Sequence, residues 1–271
     1  MVDLAYVIAG SEATGGAGLQ ADLKTFQQMG VYGVGTVTCI VSFDPAADWG
    51  HRFYPIPPDV IGQQIEAATA THDLDVVKVG MLGTPATIKQ VARGLRTQSW
   101  RHVVVDPVLI CKGQEPGVAL DTDQALRAAI LPLATVVTPN NFEARTLAGM
   151  DALESVEDLI EAGRRIVAQG PRAAVVKGGV QFPGDAAVDV LVEAGPNGIV
   201  HHRVYSVPKV GTEGVSGAGC TFAAAITAAL ATGATVADAV ATAKRYVTQG
   251  IVAKVRAHTP FDTVWQGAFA D

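Results

Sequence analysis

The sequence predicts an α/β fold: a three-layer sandwich whose mainly parallel central sheet carries antiparallel edge strands and a small lid. Three observations predict it. Six short apolar runs rich in β-branched residues recur along the chain. Most are continuous rather than alternating, as strands buried on both faces require. Helix-like stretches lie between them, and such alternation calls for right-handed crossovers with helices on both faces of the sheet. After Lys177 the alternation stops, and AVDVLVEAGPNGIVHHRVYSV reads as a hairpin turned at Pro196-Asn197-Gly198. With 271 residues, 49% of them hydrophobic, the chain can bury one sizeable core, and a single domain over 1–271 is expected.

Taken in order, strand LAYVIA (4–9) leads to a helix at 18–28 and strand VGTVTCIV (34–41), with Cys39 read as core. A polar, proline-flanked segment at 44–58 holds Trp49, His51 and Tyr54, either a flap over a ligand or a surface loop. Helix 58–70, strand LDVVKVG (74–80), helix 85–97 and strand HVVVDPV (102–108) follow. The lid is placed within about 42–57 and 109–118. Next come helix 122–131, strand ATVVTPN (134–140), helices 142–148 and 155–169, and strand AAVVKGG (173–179). Helices at 218–232 and 236–254 close the chain. The 23 residues Val215–Ala237 carry no charge, but they are mostly Ala, Gly and Thr, and Gly233 breaks them. Two helices, the first buried in a soluble domain, fit better than a membrane span.

Charge and cysteine content exclude several functions. Twenty Lys and Arg against 26 Asp and Glu leave a net charge of −6, with 6% aromatics. That argues against a nucleic-acid or anionic-membrane surface. Three scattered cysteines, Cys39, Cys111 and Cys220, make neither a disulfide framework nor a zinc site. The N-terminus has no basic region before its short apolar run, so no signal peptide is expected and the protein is placed in the cytoplasm. His201 and His202 alternate sides of one strand, which is poor geometry for a shared metal.

Ligands of parallel sheets bind at the carboxyl ends of the strands. Here those ends are GSEATGGAG (10–18), Asp106-Pro107, Thr138-Pro139-Asn140 and Lys177-Gly178-Gly179. The glycine loop alone is read as a turn and helix cap, since it is neither a Walker loop nor a dinucleotide fingerprint. Gly217-Ala218-Gly219-Cys220 opens a small-residue helix, either a glycine-capped buried helix or an anion site of converging N–H groups. Asn140 and Glu143 fall three apart in a first helical turn; with Asp106 they would suit a Mg²⁺ that keeps its waters and bridges phosphates. Lys177 would add a point charge to those phosphates. Together the groups suit phosphoryl transfer, which needs positioning and charge neutralisation.

At these residues the chain resembles the ribokinase-like superfamily, in its branch of hydroxymethylpyrimidine (phosphate) kinases and pyridoxal kinases. The motifs AGSEATGGAGLQADLKTF, VKVGML, VVVDPVLICKG, TPNNFEA, VVKGG and SGAGCTFAAA carry the likeness in order over almost the whole chain. Three of them look most like pyridoxal kinases of Gram-positive bacteria with a lid cysteine. The resemblance implies an anion hole from Gly217, Ala218, Gly219 and Cys220, with Cys220 as the base for the alcohol proton. It implies ATP contacts at Asn140, Glu143, Lys177 and Asp189, and a Mg²⁺ site of Asp106, Glu143 and Asn140. A monovalent cation is left open, and a homodimer is expected. On the acceptor side it implies Ser11, Asp22, Phe43, Met81, Val108 and Cys111, whose thiol would add to the aldehyde of pyridoxal as a hemithioacetal. Met81 and Val108 could equally be plain core, Asp189 an exposed edge-strand carboxylate, and Cys111 a structural thiol. Glu12 stands where the family has Asp, and Ser216 where it has His. Phe43 replaces a Gln that holds the aminopyrimidine, which tilts the expected acceptor toward a pyridine. The reading is therefore an ATP-dependent pyridoxal kinase; a hydroxymethylpyrimidine kinase is the alternative and a non-catalytic binding protein the weaker one.

Overall fold

The structure is a computed structural model describing residues 2–109, 116–195 and 199–269. Cys111, most of the expected 109–118 lid and the hairpin tip at 196–198 lie outside the described residues. The strands are β1 (Leu4–Glu12), β2 (Tyr32–Asp44), β3 (Gly50–Pro55), β4 (Val76–Val79), β5 (His102–Val105), β6 (Val136–Val137), β7 (Ala173–Lys177), β8 (Ala186–Ala194) and β9 (Val200–Pro208). They form one sheet in the order β3-β2-β1-β4-β5-β6-β7-β8-β9. The six strands from β2 to β7 in that order are parallel neighbours, while β3, β8 and β9 pair antiparallel.

Helix α1 (Gly18–Gln28) lies on one face with α7 (Ala218–Ala231) and α8 (Val236–Val252). The other face carries α2 (Pro58–Thr71), α3 (Pro85–Leu95), α4 (Pro116–Ala129), α5 (Asn141–Ala148) and α6 (Val156–Val167). The two-residue period of a strand divides the core between these layers. Ala5, Val7 and Ala9 of β1 face α1 and α7, whereas Tyr6 and Ile8 face the α2–α6 layer. Every residue of α7 from Thr221 to Ala231 is buried, so its lack of charge reflects a core position. Among the described residues, no helix is long and apolar enough to cross a membrane.

The sequence reading missed β3. Its residues are polar and only partly covered, so the apolar-run signal is silent there. β2 instead continues to Asp44 and turns back through Asp48 (φ 49°) and Trp49 (φ 57°), setting Phe43 opposite His51. The flap is thus an antiparallel edge ribbon. His201 and His202 are exposed on β9.

Close packing of α6 on β8 gives a stability test. A Cβ on Gly163 would lie 2.4 Å from Val192 Cγ2. Alanine gains about 1 kcal/mol of helix propensity, and overpacking costs about 1–3 kcal/mol. Gly163→Ala should therefore lower the urea midpoint by about 1–2 kcal/mol at unchanged slope; an unchanged or raised midpoint would show that this contact yields freely.

Candidate active site

The carboxyl ends of β1, β5, β6 and β7 open into one cleft of about 920 Å³. Its glycine-rich floor is set by backbone contact. Gly217 has φ 79°, and a Cβ there would sit 1.9 Å from the Gly16 carbonyl oxygen. Gly18 (φ 60°) would bring a Cβ within 2.3 Å of the Gly10 carbonyl. Only residues without a side chain let the β1–α1 loop lie against the start of α7. The N–H groups of Gly219 and Cys220 fall in the first turn of α7, where no intrahelical acceptor exists.

Glu12 spends both carboxylate oxygens on its own loop. Oε1 accepts from Thr14 N at 2.7 Å, and Oε2 accepts from Thr14 Oγ1 at 2.6 Å and Gly16 N at 3.2 Å. The longer carboxylate therefore shapes the loop. Ser11 Oγ accepts from Gln20 Nε2 at 2.7 Å, and Ser11 is not among the residues lining the cleft.

In the middle of the cleft, Asp106 Oδ1 accepts from Lys177 Nζ and from Thr138 Oγ1, each at 3.3 Å. Lys177 lies 5.9 Å above the Phe222 ring, and its ammonium is held above its ordinary range by Asp106 and Glu143, which outweigh burial. Asn140 and Glu143 form a capping box at the start of α5: Asn140 Oδ1 accepts from Glu143 N at 2.9 Å, and Glu143 Oε2 accepts from Asn140 N at 2.8 Å. Burial, then the Asp106 charge, push Glu143 up to about 8. Two neighbouring carboxylates sharing one lysine fit a hydrated divalent cation, which needs only one or two protein carboxylates beside phosphate oxygens. Among the described residues, no cluster of three or more His, Cys, Asp or Glu offers a fuller cage.

The Cys220 thiol is pushed up to about 11 by burial, and by Asp22 and Asp106; Lys78 and the Gly18 N–H pull the other way. Asp22 differs from its expected place. It is fully buried, with both oxygens on Lys78 Nζ at 2.8 and 2.7 Å, so it meets the cleft through that lysine rather than by touching a ligand ring. Lys78 was overlooked within VKVGML, although a lone lysine inside an apolar parallel strand is itself a signal.

Toward the β2–β3 edge the wall is apolar and aromatic. Phe43 packs on His51 (centroids 4.7 Å apart) and on Phe261 (5.5 Å). Met81 and Val108 also line the cleft, with Met81 Sδ 3.7 Å from the buried Cys39 Sγ. Toward β8 and β9, Asp189 is 5% exposed and bonds Lys244 Nζ at 2.7 Å, which overturns the exposed-carboxylate alternative. Lys244 was not foreseen, because its α8 position carries no motif.

Comparison with known proteins agrees with this site. Residues 12–265 match the family described as phosphomethylpyrimidine kinase. The pyridoxine kinase of Bacillus subtilis (strain 168) is 43% identical over 247 residues, 91% of this chain and 89% of its own. The hydroxymethylpyrimidine/phosphomethylpyrimidine kinase of the same organism is 34% identical over 250 residues, 91% of this chain and 88% of its own. The structure of Staphylococcus aureus pyridoxal kinase in complex with AMP-PCP and pyridoxal superposes with a TM-score of 0.89 at 36% identity, covering 99% of this chain and 94% of that one. Matched from the glycine loop to the residues beyond α8, with its strand ends gathered in one cleft, the chain belongs to the phosphomethylpyrimidine kinase family, on the ribokinase-like fold.

Proposed function

We propose that the protein transfers the γ-phosphoryl group of ATP to the hydroxymethyl group of pyridoxal, and of related B6 vitamers, giving the 5′-phosphate. The observation that carries this reading is the acceptor wall of Phe43, His51, Phe261 and Met81. The apolar Phe43 ring offers no acceptor to the exocyclic amine of an aminopyrimidine, and an unmet buried donor costs about 1–3 kcal/mol. The higher identity to a pyridoxine kinase than to a pyrimidine kinase supports the same choice.

In this reading the first-turn N–H groups of α7 hold the transferring phosphoryl oxygens. Lys177 and Asp106 hold the triphosphate side, and the Asp189–Lys244 pair lines the nucleotide end. Mg²⁺, when bound at Asp106 with Glu143 and Asn140, supplies neutralisation of the triphosphate charge. The Cys220 thiolate takes the alcohol proton while the new O–P bond forms and the bond from the γ-phosphorus to ADP breaks. That proton ends on sulfur and later passes to solvent. A thiol titrating near 11 is a strong base but a scarce one, with roughly one site in ten thousand ionised at pH 7. A homodimer across the β2–β3 edge, read by light scattering, belongs to the same reading: Ile40 and Tyr54 form an exposed cross-strand pair there, 46% and 57% exposed.

Three outcomes test it. With Mg²⁺-ATP, pyridoxal should be turned over in preference to hydroxymethylpyrimidine, and Phe43→Gln should shift that ratio roughly tenfold toward the pyrimidine; preference for the pyrimidine in the unaltered protein would overturn the acceptor assignment. Single-turnover rates should climb nearly tenfold per pH unit from 7 to 9, with a lower, flat profile in Cys220→Ala; a flat profile in the unaltered protein would remove Cys220 as base. Cys111→Ala should slow pyridoxal turnover more than pyridoxine turnover, because only pyridoxal has an aldehyde to add. Equal rates for both would remove the adduct.

A further inference from the structure

Lys78 projects from the middle of β4, between the fully buried core residues Val77 and Val79. Its side chain is fully buried, and so is that of Asp22 on α1, which clamps it with two contacts of 2.7 and 2.8 Å. The ammonium nevertheless reaches the cleft floor and lines it. Gly80 makes room: a Cβ there would come within 3.1 Å of Lys78 Nζ. The charged and polar groups acting on the Cys220 thiol come from four places. Lys78 comes from β4, Asp22 from α1, Asp106 from the end of β5, and the Gly18 N–H from the glycine loop. Two are negative, so Lys78 is the positive charge in that set.

A buried ion pair contributes little to stability, since apolar residues of similar volume often do as well or better. A charge fixed where negative charge develops, however, stabilises it without reorganisation. We propose that Lys78 is a positioning residue of the phosphoryl transfer, its ammonium clamped by Asp22 as a fixed positive charge beneath the Cys220 sulfur. The pair splits its work. Lys78 holds the thiolate that receives the alcohol proton, and Asp22 keeps the ammonium in place while opposing thiolate formation. This inference rests on the assignment of Cys220 as the base.

The test compares the full chain with Asp22→Asn and with the double variant Asp22→Asn/Lys78→Met, which removes both charges together. The readouts are the pH midpoint of iodoacetamide alkylation at Cys220, followed by peptide mass spectrometry without substrate, and single-turnover rates with pyridoxal. Asp22→Asn should move the midpoint to lower pH, because a negative neighbour is gone while the ammonium stays. The double variant should move it to higher pH than in Asp22→Asn by a unit or more, with kcat at least tenfold below the unaltered protein and KM for ATP within twofold. Purely structural damage does not displace one thiol in opposite directions. Midpoints that coincide in the two variants, or an unreduced kcat in the double, overturn the proposal. If the double variant does not fold, Asp22→Asn decides alone, and an unmoved or raised midpoint overturns it. Oppositely moving midpoints in a protein that phosphorylates no pyridoxal sustain the charge assignment and discard the acceptor assignment.

Discussion

The site depends on one backbone contact, the Gly16 carbonyl against Gly217. It joins the loop after the first strand to the start of the seventh helix, two segments about 200 residues apart in the chain. Because neither glycine carries a Cβ, the two backbones meet at a distance that side chains forbid. The same closeness brings the Gly18 N–H to the Cys220 sulfur. It also leaves the first-turn N–H groups of α7 opening onto the cleft, where Asp106 and Lys177 wait. The catalytic cysteine, the phosphoryl-holding amides and the acceptor loop are thus placed by a single approach between chain ends.

Around that floor the charges come in matched sets. Lys78 pairs with Asp22 at 2.7 Å, Lys177 with Asp106 at 3.3 Å, and Lys244 with Asp189 at 2.7 Å. Glu143 stands outside these pairs and, pushed up to about 8, keeps its proton at neutral pH. The ligand-free centre is therefore close to neutral. A triphosphate arrives with several negative charges that the lysines, already matched, cannot absorb alone. A divalent cation supplies the missing charge and also favours the ionised form of Glu143, so nucleotide, metal and carboxylate ionisation are linked.

The parallel centre of the fold was legible because strands buried on both faces must be continuous in apolar residues, as at Val76–Val79 and His102–Val105. The edge strand β3 was not, since half-covered polar residues such as His51 and Arg52 carry no such pattern. Strand-end chemistry at Asp106, Asn140, Glu143 and Lys177 was also readable, because turn residues rarely fall in register by chance. What the one-dimensional pattern concealed was pairing. Asp22 looked like a ligand contact until its partner was seen to be Lys78, and Asp189 looked exposed until Lys244 covered it. Ion pairs between residues 55 or 56 positions apart have no local signature.

The small-residue helix α7 carries a consequence of another kind. Its buried face is nearly the whole cylinder, filled by Ala, Thr and one each of Phe, Ile and Leu. Such a rod lies close to the sheet and has little slack, since an added methylene has no solvent to point into. The segment that ends at the catalytic cysteine is therefore also the one least free to drift in evolution. Novelty in substrate choice has to enter instead through the edge ribbon of β2 and β3, where Phe43 and His51 are held by two strands alone.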